Sequence, residues 1–208
     1  MTNILIVTSS ANGAASMSGR LAEDHAAQLA EAHPGAAIVR RDVGAEPIPH
    51  LTAATVAAIK GTPVSEAERA ARALSDALVA EVAEADLIVI ASPMYNFGMS
   101  STLKAWFDHV LRAGVTFRYG ESGPEGLMTG KRAVVIESRG GFYSDGPAAA
   151  MDSQEAHIRT MLGFIGISDV TIVRAERLAS GPEAAEAALA EARVALGLFV
   201  RDELALAA

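Results

Sequence analysis

Apolar residues in this chain follow two rhythms. Five short runs, Ile4–Val7, Ala37–Val39, Leu87–Ala91, Ala133–Ile136 and Val170–Val173, are rich in β-branched side chains and read as strands. The first, third and fourth are almost continuously apolar, the pattern of strands covered on both faces, as in a parallel sheet. Between Ser65 and Ala85 the spacing becomes helical: Ala71, Leu74, Leu78, Val82 and Ala85 form one stripe, while Glu66, Arg69, Arg72, Asp76 and Glu84 lie off it. Ser65 with Glu68 predicts a capping box at that helix start. Ser180 with Glu183 predicts a second box, before an Ala- and Glu-rich final helix running towards Leu204.

Strands alternating with helices predict an open α/β sheet with right-handed crossovers. Five strands in a doubly wound, flavodoxin-like arrangement would take the order 2-1-3-4-5. Residues 44–62, with the stretch EPIPH, read as an irregular excursion. Residues 114–130, GVTFRYGESGPEGLMTG, read as a Gly-rich loop bearing aromatics. No internal repeat or linker divides the chain, so residues 1–208 are expected to form one domain.

Composition narrows the function classes. The chain has 208 residues, half of them hydrophobic, with a formal net charge of -8 and no cysteine. A nucleic-acid partner would call for a basic face, and the absence of thiols removes disulfides, Cys-based zinc sites, iron–sulfur clusters and cysteine nucleophiles. The N-terminus lacks the basic and apolar regions of a secretory signal, and no stretch approaches a membrane span, so a cytoplasmic protein is expected. The histidines His25, His33, His50, His109 and His157 are scattered without metal-site spacing. His109, beside Asp108 on a helix, reads as a surface or core residue. No G-x-S-x-G elbow marks a hydrolase.

In a sheet of this order, ligands bind at the carboxyl ends of the first and third strands, where strand order reverses. Three loops should meet there: TSSANGAASMS (8–18), SPMYNFG (92–98) and ESRGGFYSDG (137–146). The first is dense in hydroxyls and runs into a helix N-terminus, which favours a phosphate. It matches neither the Walker A pattern nor the dinucleotide fingerprint, and Arg20 is its nearest cation. Uncharged donors without lysine suit the single phosphate of a mononucleotide, although Ser16 or Ser18 would equally serve as a helix cap.

In the second loop, Tyr95 and Phe97 offer flat apolar surface, Asn96 a donor and an acceptor, and Gly98 close backbone approach. The aromatics are also candidates for anchoring the following helix. The third loop adds Gly140 and Gly141, and a cation, Arg139, that would also suit a surface salt bridge. Together the three loops describe a site for flavin mononucleotide (FMN).

The segments PMYNFGMSSTLKAWFDHVLRAGVTFRY, GPEGL, TGKRAVVIESRGG, DGP and LGFIGI then DV resemble the FMN-dependent NADH azoreductase family of flavodoxin-like quinone reductases. The resemblance spans nearly the whole chain. It implies a homodimer with FMN at the subunit interface. By matching motif it implies that Ser10, Ser16, Met17 and Ser18 hold the phosphate and ribityl chain. Met94, Tyr95, Asn96 and Phe97 would wrap the ring, and Ser138, Arg139, Gly140 and Gly141 would line its other edge. The pattern departs at or near Ser100, where a proline is expected, and at Phe142 and Tyr143.

The resemblance further implies reduction by NADH or NADPH and ping-pong transfer of two electrons to a quinone or azo compound. Flavin N5 would carry the chemistry, so no side-chain acid or base is assigned. Phe117, Tyr119 and Phe164 are candidates for a substrate wall contributed by a partner subunit, with a purely structural role the alternative for Phe117 and Tyr119 and core packing the favoured role for Phe164. A flavodoxin-type electron carrier without its own substrate is the alternative activity, and a flavin-free interaction domain is a third reading.

Overall fold

The computed structural model describes residues 2–206, with side chains described as far as residue 202. Five parallel strands, β1 (Asn3–Thr8), β2 (Ala37–Asp42), β3 (Leu87–Pro93), β6 (Arg132–Ser138) and β7 (Asp169–Ala175), lie in the order β2-β1-β3-β6-β7. This is the 2-1-3-4-5 order expected of the five main strands. A separate antiparallel hairpin joins β4 (Phe117–Gly120) to β5 (Gly123–Gly126).

Successive side chains of a strand point to opposite faces, and here each face carries its own core. Leu5, Val7, Ile88, Ile90, Ala133 and Val135 pack on one side. That side is covered by α3 (Glu66–Glu84), α4 (Ser101–Val110) and α5 (Gln154–Phe164). Ile4, Ile6, Val89, Val134 and Ile136 pack on the other, beneath α1 (Met17–Ala32) and α6 (Pro182–Leu206). Two-sided burial explains why β3 is buried at every position and reads as an unbroken apolar run.

The capping box at Ser65 and Glu68 is present: the Ser65 side chain accepts from Glu68 N, and the Glu68 side chain reaches back. The second box is not the start of α6. That helix begins at Pro182, whose missing N–H suits the first turn, and Ala185 N donates to the Gly181 carbonyl, making Gly181 the cap. The 44–62 excursion contains α2 (Ala53–Lys60), capped by Thr52 and Thr55. Ser100, at the expected proline position, caps α4 by accepting from Leu103 N at 3.2 Å.

His109 is a core residue: its ring Nε2 lies 3.0 Å from the Pro49 carbonyl and ties the excursion to α4. The hairpin is fixed at its base by backbone packing. A Cβ built on Gly126 would stand 2.1 Å from Gly166 N, and Met128 N donates to Ile165 O at 2.7 Å. Among the described residues no helix is long and apolar enough to cross a membrane.

Candidate functional site

At the end of β1 the chain turns through a hydroxyl-rich loop. Ser9 Oγ donates to Ala91 O at 2.9 Å, fixing this loop to β3. Ser16 caps α1, its Oγ accepting from Gly19 N at 2.9 Å while its carbonyl accepts from Arg20 N. Ser18 Oγ lies 3.4 Å from Ser16 Oγ, and both residues are buried. The cap uses one lone pair of the Ser16 hydroxyl and leaves its other hydrogen-bonding capacity free of that role.

Gly13, with φ +51°, turns the backbone where L side chains are disfavoured. Gly44 permits the closest contact in the region: a Cβ there would sit 2.2 Å from the Ser10 carbonyl oxygen. A cavity of about 390 Å³ opens beside this loop, lined by Thr8, Ser10, Gly13, Ser16, Gly19 and Arg20. Its outer wall carries Asp24, paired with Arg193 at 3.0 Å, and Asp42, whose Oδ1 is occupied by the amides of Gly44 and Ala45.

The second loop is a two-residue reversal. Tyr95 N donates to Gly98 O at 2.8 Å and Gly98 N returns to Tyr95 O at 3.1 Å. The central residues, Asn96 and Phe97, have φ of +49° and +71°. Positive φ at both centres is the signature of a type I′ turn, which normally carries Asn-Gly. Asn tolerates the left-handed region, whereas Phe is strained there.

The strain is held by Ser153, whose amide and Oγ both donate to the Phe97 carbonyl, at 3.0 and 2.8 Å. Phe97 itself is 41% exposed, so it stands at the mouth of the crevice rather than filling it. Tyr95 crosses to the first loop, its hydroxyl accepting from Ala11 N and lying beside Ser10 Oγ.

The third loop meets the second through Met94 N, which donates to Ser138 O at 2.9 Å. Gly141 lies under the ring of Tyr143, whose atoms would come within 2.9 Å of an added Cβ. That ring meets Phe97 edge to face, with centroids 6.0 Å apart.

Arg139 does not present its side chain to the crevice. It is fully buried and is shared among Glu137, Asp152 at 2.9 Å and Glu176 at 3.2 Å, with Glu155 at 4.0 Å. Its backbone is also engaged: the amide donates to Ala175 O and the carbonyl accepts from Leu178 N. A planar, permanently charged fork suits such a buried acid cluster better than an exposed salt bridge.

Burial pushes the Glu137 carboxyl up to about 7; Arg139 opposes this, while Glu155 and Asp152 add to it. Burial works against the Glu176 carboxylate too, but the Ser144 hydroxyl, the Tyr143 amide and Arg139 outweigh it and hold its pKa below the usual range.

Ser10 and Ser16 line one cavity, whereas Met17 and the fully buried Ser18 sit beside it in the first turn of α1 and outside its lining; Met94, Tyr95, Asn96, Phe97, Ser138, Gly140 and Gly141 lie on the adjoining loops. Phe117, Tyr119 and Phe164 form their own cluster, with centroids 5.6 Å apart for Phe117–Tyr119 and 4.6 Å for Phe117–Phe164. Phe117 and Tyr119 line a different cavity, of about 310 Å³, with Leu51, Val56, Ile59 and Leu111. No residue of the three crevice loops takes part in it.

Gly44, Ser153, Gln154 and Glu176 also shape the site, and local patterning does not single them out. Among the described residues no group of three His, Asp or Glu side chains is placed to hold a metal ion.

Residues 2–198 match a family model described as flavodoxin-like fold. A relative from Hyphomonas neptunium, named FMN-dependent NADH:quinone oxidoreductase, is 53% identical over 193 residues, covering 93% of each chain. One of the same name from Ralstonia nicotianae is 46% identical over 205 residues, covering 97% of this chain and 99% of its own. Among solved structures, an azoreductase from Bacillus anthracis str. Sterne superposes with a TM-score of 0.88 at 30% identity, covering 97% of this chain and all of its own (100%).

Proposed function

The chain belongs to the flavodoxin-like fold family, and from that premise we propose that it is an FMN-dependent NAD(P)H oxidoreductase delivering two electrons to quinones and azo compounds. The observation that carries the reading is the adjacency of two unlike features. A cradle of uncharged donors opens the first helix, and beside it a strained Asn96-Phe97 turn holds an aromatic ring out towards solvent. A turn that served only to reverse the chain would relax with glycine at position 97.

The cradle fits a phosphate monoester. Ser10 and Ser16 offer hydroxyls, the first turn of α1 offers amides, and Arg20 and Arg193 stand at the rim, with Ser18 Oγ behind Ser16 Oγ at 3.4 Å. Gly13 leaves open space where another residue would crowd a ligand. Tyr95 and Phe97 supply flat surface for a heteroaromatic ring, and Asn96, Gly140 and Gly141 supply polar edges. When bound, FMN supplies the centre that accepts and returns a hydride.

The chain's own work is to orient the ring, leave one face open and stabilise negative charge with backbone amides of the second and third loops. Nicotinamide nucleotide and acceptor then use that open face in turn, which gives ping-pong kinetics. Phe117, Tyr119 and Phe164 would wall the site only from a second copy of the chain, so the reading includes a homodimer. A cytoplasmic setting is part of the same proposal.

Anaerobic mixing with NADH and with NADPH tests it. The yellow protein is expected to bleach with at least one nucleotide and to recover its absorbance when a benzoquinone or an azo dye is added. A flavin that neither nucleotide bleaches would make the protein an electron carrier instead, and a protein that takes up no FMN would overturn the reading altogether.

A further inference from the structure

The loops assigned to the flavin ring converge behind the crevice on one short segment, residues 152–155, at the start of α5. Ser153 holds the Phe97 carbonyl with two donors. The buried Gln154 donates through Nε2 to Ser92 O and Ser92 Oγ, both at 2.9 Å. These two residues therefore fix both ends of the second loop. Asp152 holds the first turn of α5 together, its Oδ1 accepting from Gln154 N at 2.8 Å, while its Oδ2 faces Arg139 at 2.9 Å.

The other arm of Arg139 goes to Glu176 Oε1, which also accepts the amides of Tyr143 at 2.8 Å and Ser144 at 3.1 Å. One buried guanidinium thus spans the distance between the segment that grips the second loop and the carboxylate that grips the third.

We propose that Arg139 is a positioning residue, locking the second loop (92–98) and the third loop (137–146) into one mutual geometry through Asp152 on one side and Glu176 on the other. It touches neither cofactor nor substrate. Its effect on catalysis rests on the FMN reading above, but its effect on loop geometry does not. Buried networks of this kind act as units: a partly satisfied one loses more than any single contact. The strained Phe97 turn makes this lock necessary, since unfavourable φ persists only where surroundings over-determine it. Lysine cannot replace the residue fully, because a point charge cannot fork between Asp152 and Glu176.

The test uses Arg139→Lys and the gentler Ser153→Ala, whose side chain is exposed and whose loss leaves the Ser153 amide bond in place. The first readout is amide hydrogen exchange in flavin-free protein. Arg139→Lys is expected to speed exchange both at 140–144 and at 95–98, a loop its own side chain does not contact. Faster exchange confined to 140–144 would overturn the lock whether or not FMN binds.

The second readout is a double-mutant cycle on FMN dissociation. Each single variant is expected to weaken binding, by about fivefold for Ser153→Ala and about tenfold for Arg139→Lys. The double variant should be no weaker than Arg139→Lys alone. Effects that multiply would show two independent supports and overturn the proposal. If instead wild-type protein takes up no FMN, the cofactor reading fails while the exchange result still judges the lock.

Discussion

The hydroxyl of Tyr95 lies 3.3 Å from Ser10 Oγ and accepts the neighbouring Ala11 amide at 3.1 Å. A residue of the second loop is thereby fastened to the first, across the point where strand order reverses. One phenol thus links the two halves of the crevice, and its oxygen and its ring are separable by mutation.

Tyr95→Phe keeps the flat surface and removes the fastening. A net hydrogen bond contributes about 1 kcal/mol, so FMN affinity should fall about fivefold. Replacing both Tyr95 and Asn96 with alanine should weaken it further with the fold intact. Quenching of FMN fluorescence on titration measures both, and an unchanged affinity for the double variant would remove the second loop from the site.

Phe97→Gly should separate stability from binding. Relief of the left-handed strain is expected to stabilise the flavin-free protein by about 1 kcal/mol, while loss of the ring weakens FMN binding. Thermal unfolding of the apo protein is the check. A clear loss of stability there would mean that the Phe97–Tyr143 contact, not a ligand, is the reason for the aromatic.

Two glycines in the first loop region should respond differently to alanine. At Gly44 the new methyl would collide with the Ser10 carbonyl at 2.2 Å, so Gly44→Ala is expected to cost about 1–3 kcal/mol and to displace the loop that follows β1. At Gly13 nothing lies within 4 Å, and only its φ of +51° is unfavourable, so the cost should be about 1 kcal/mol. Urea denaturation of the apo proteins ranks them, and equal effects would show that the Gly44 contact is easily relieved.

Acid sensitivity should come in part from His25, on the buried side of α1, edge-on to Phe199 at 5.8 Å. Burial lowers its pKa from 6.5 to about 4, with Gln28 opposing weakly. The unfolded chain therefore takes up this proton first. The stability tied to neutral His25 is complete above about pH 6.5 and is lost as pH falls through about 4, roughly 3 kcal/mol in all. His25→Leu should flatten that part of the pH profile. An unchanged slope of stability between pH 7 and 4 would show that His25 is not its source.

What could be read from one dimension was the sheet and the unusual turn that follows β3. Ile4–Val7, Leu87–Ala91 and Ala133–Ile136 announce themselves because double burial removes every polar residue from a strand. The Met94–Phe97 turn stands out because its residues are poor choices for solvent. The α2 helix escaped because it is only eight residues long (Ala53–Lys60) and is capped by Thr52 and Thr55 in place of the usual acidic partner. The hairpin escaped because three of its eight residues are glycine, which erases alternation.

Arg139 illustrates a different limit. A charged residue in a loop is expected at the surface. Its true setting depends on Asp152, Glu155 and Glu176, which only the folded chain brings to Glu137. The same holds for Ser153 and Gln154: nothing local distinguishes a serine and a glutamine at a helix start from solvent-facing ones.

The Gly126–Gly166 contact leaves the hairpin only one direction in which to vary. Its base is fused, backbone on backbone, to the turn that ends α5, so any added side chain or residue there would pry the two apart. Its tip, between Gly120 and Gly123, carries no such burden. Lengthening at the tip would extend the arm beyond the Tyr119–Pro124 pair while Phe117, Tyr119 and Phe164 stayed fixed, which makes the tip the natural place to change how far this arm reaches.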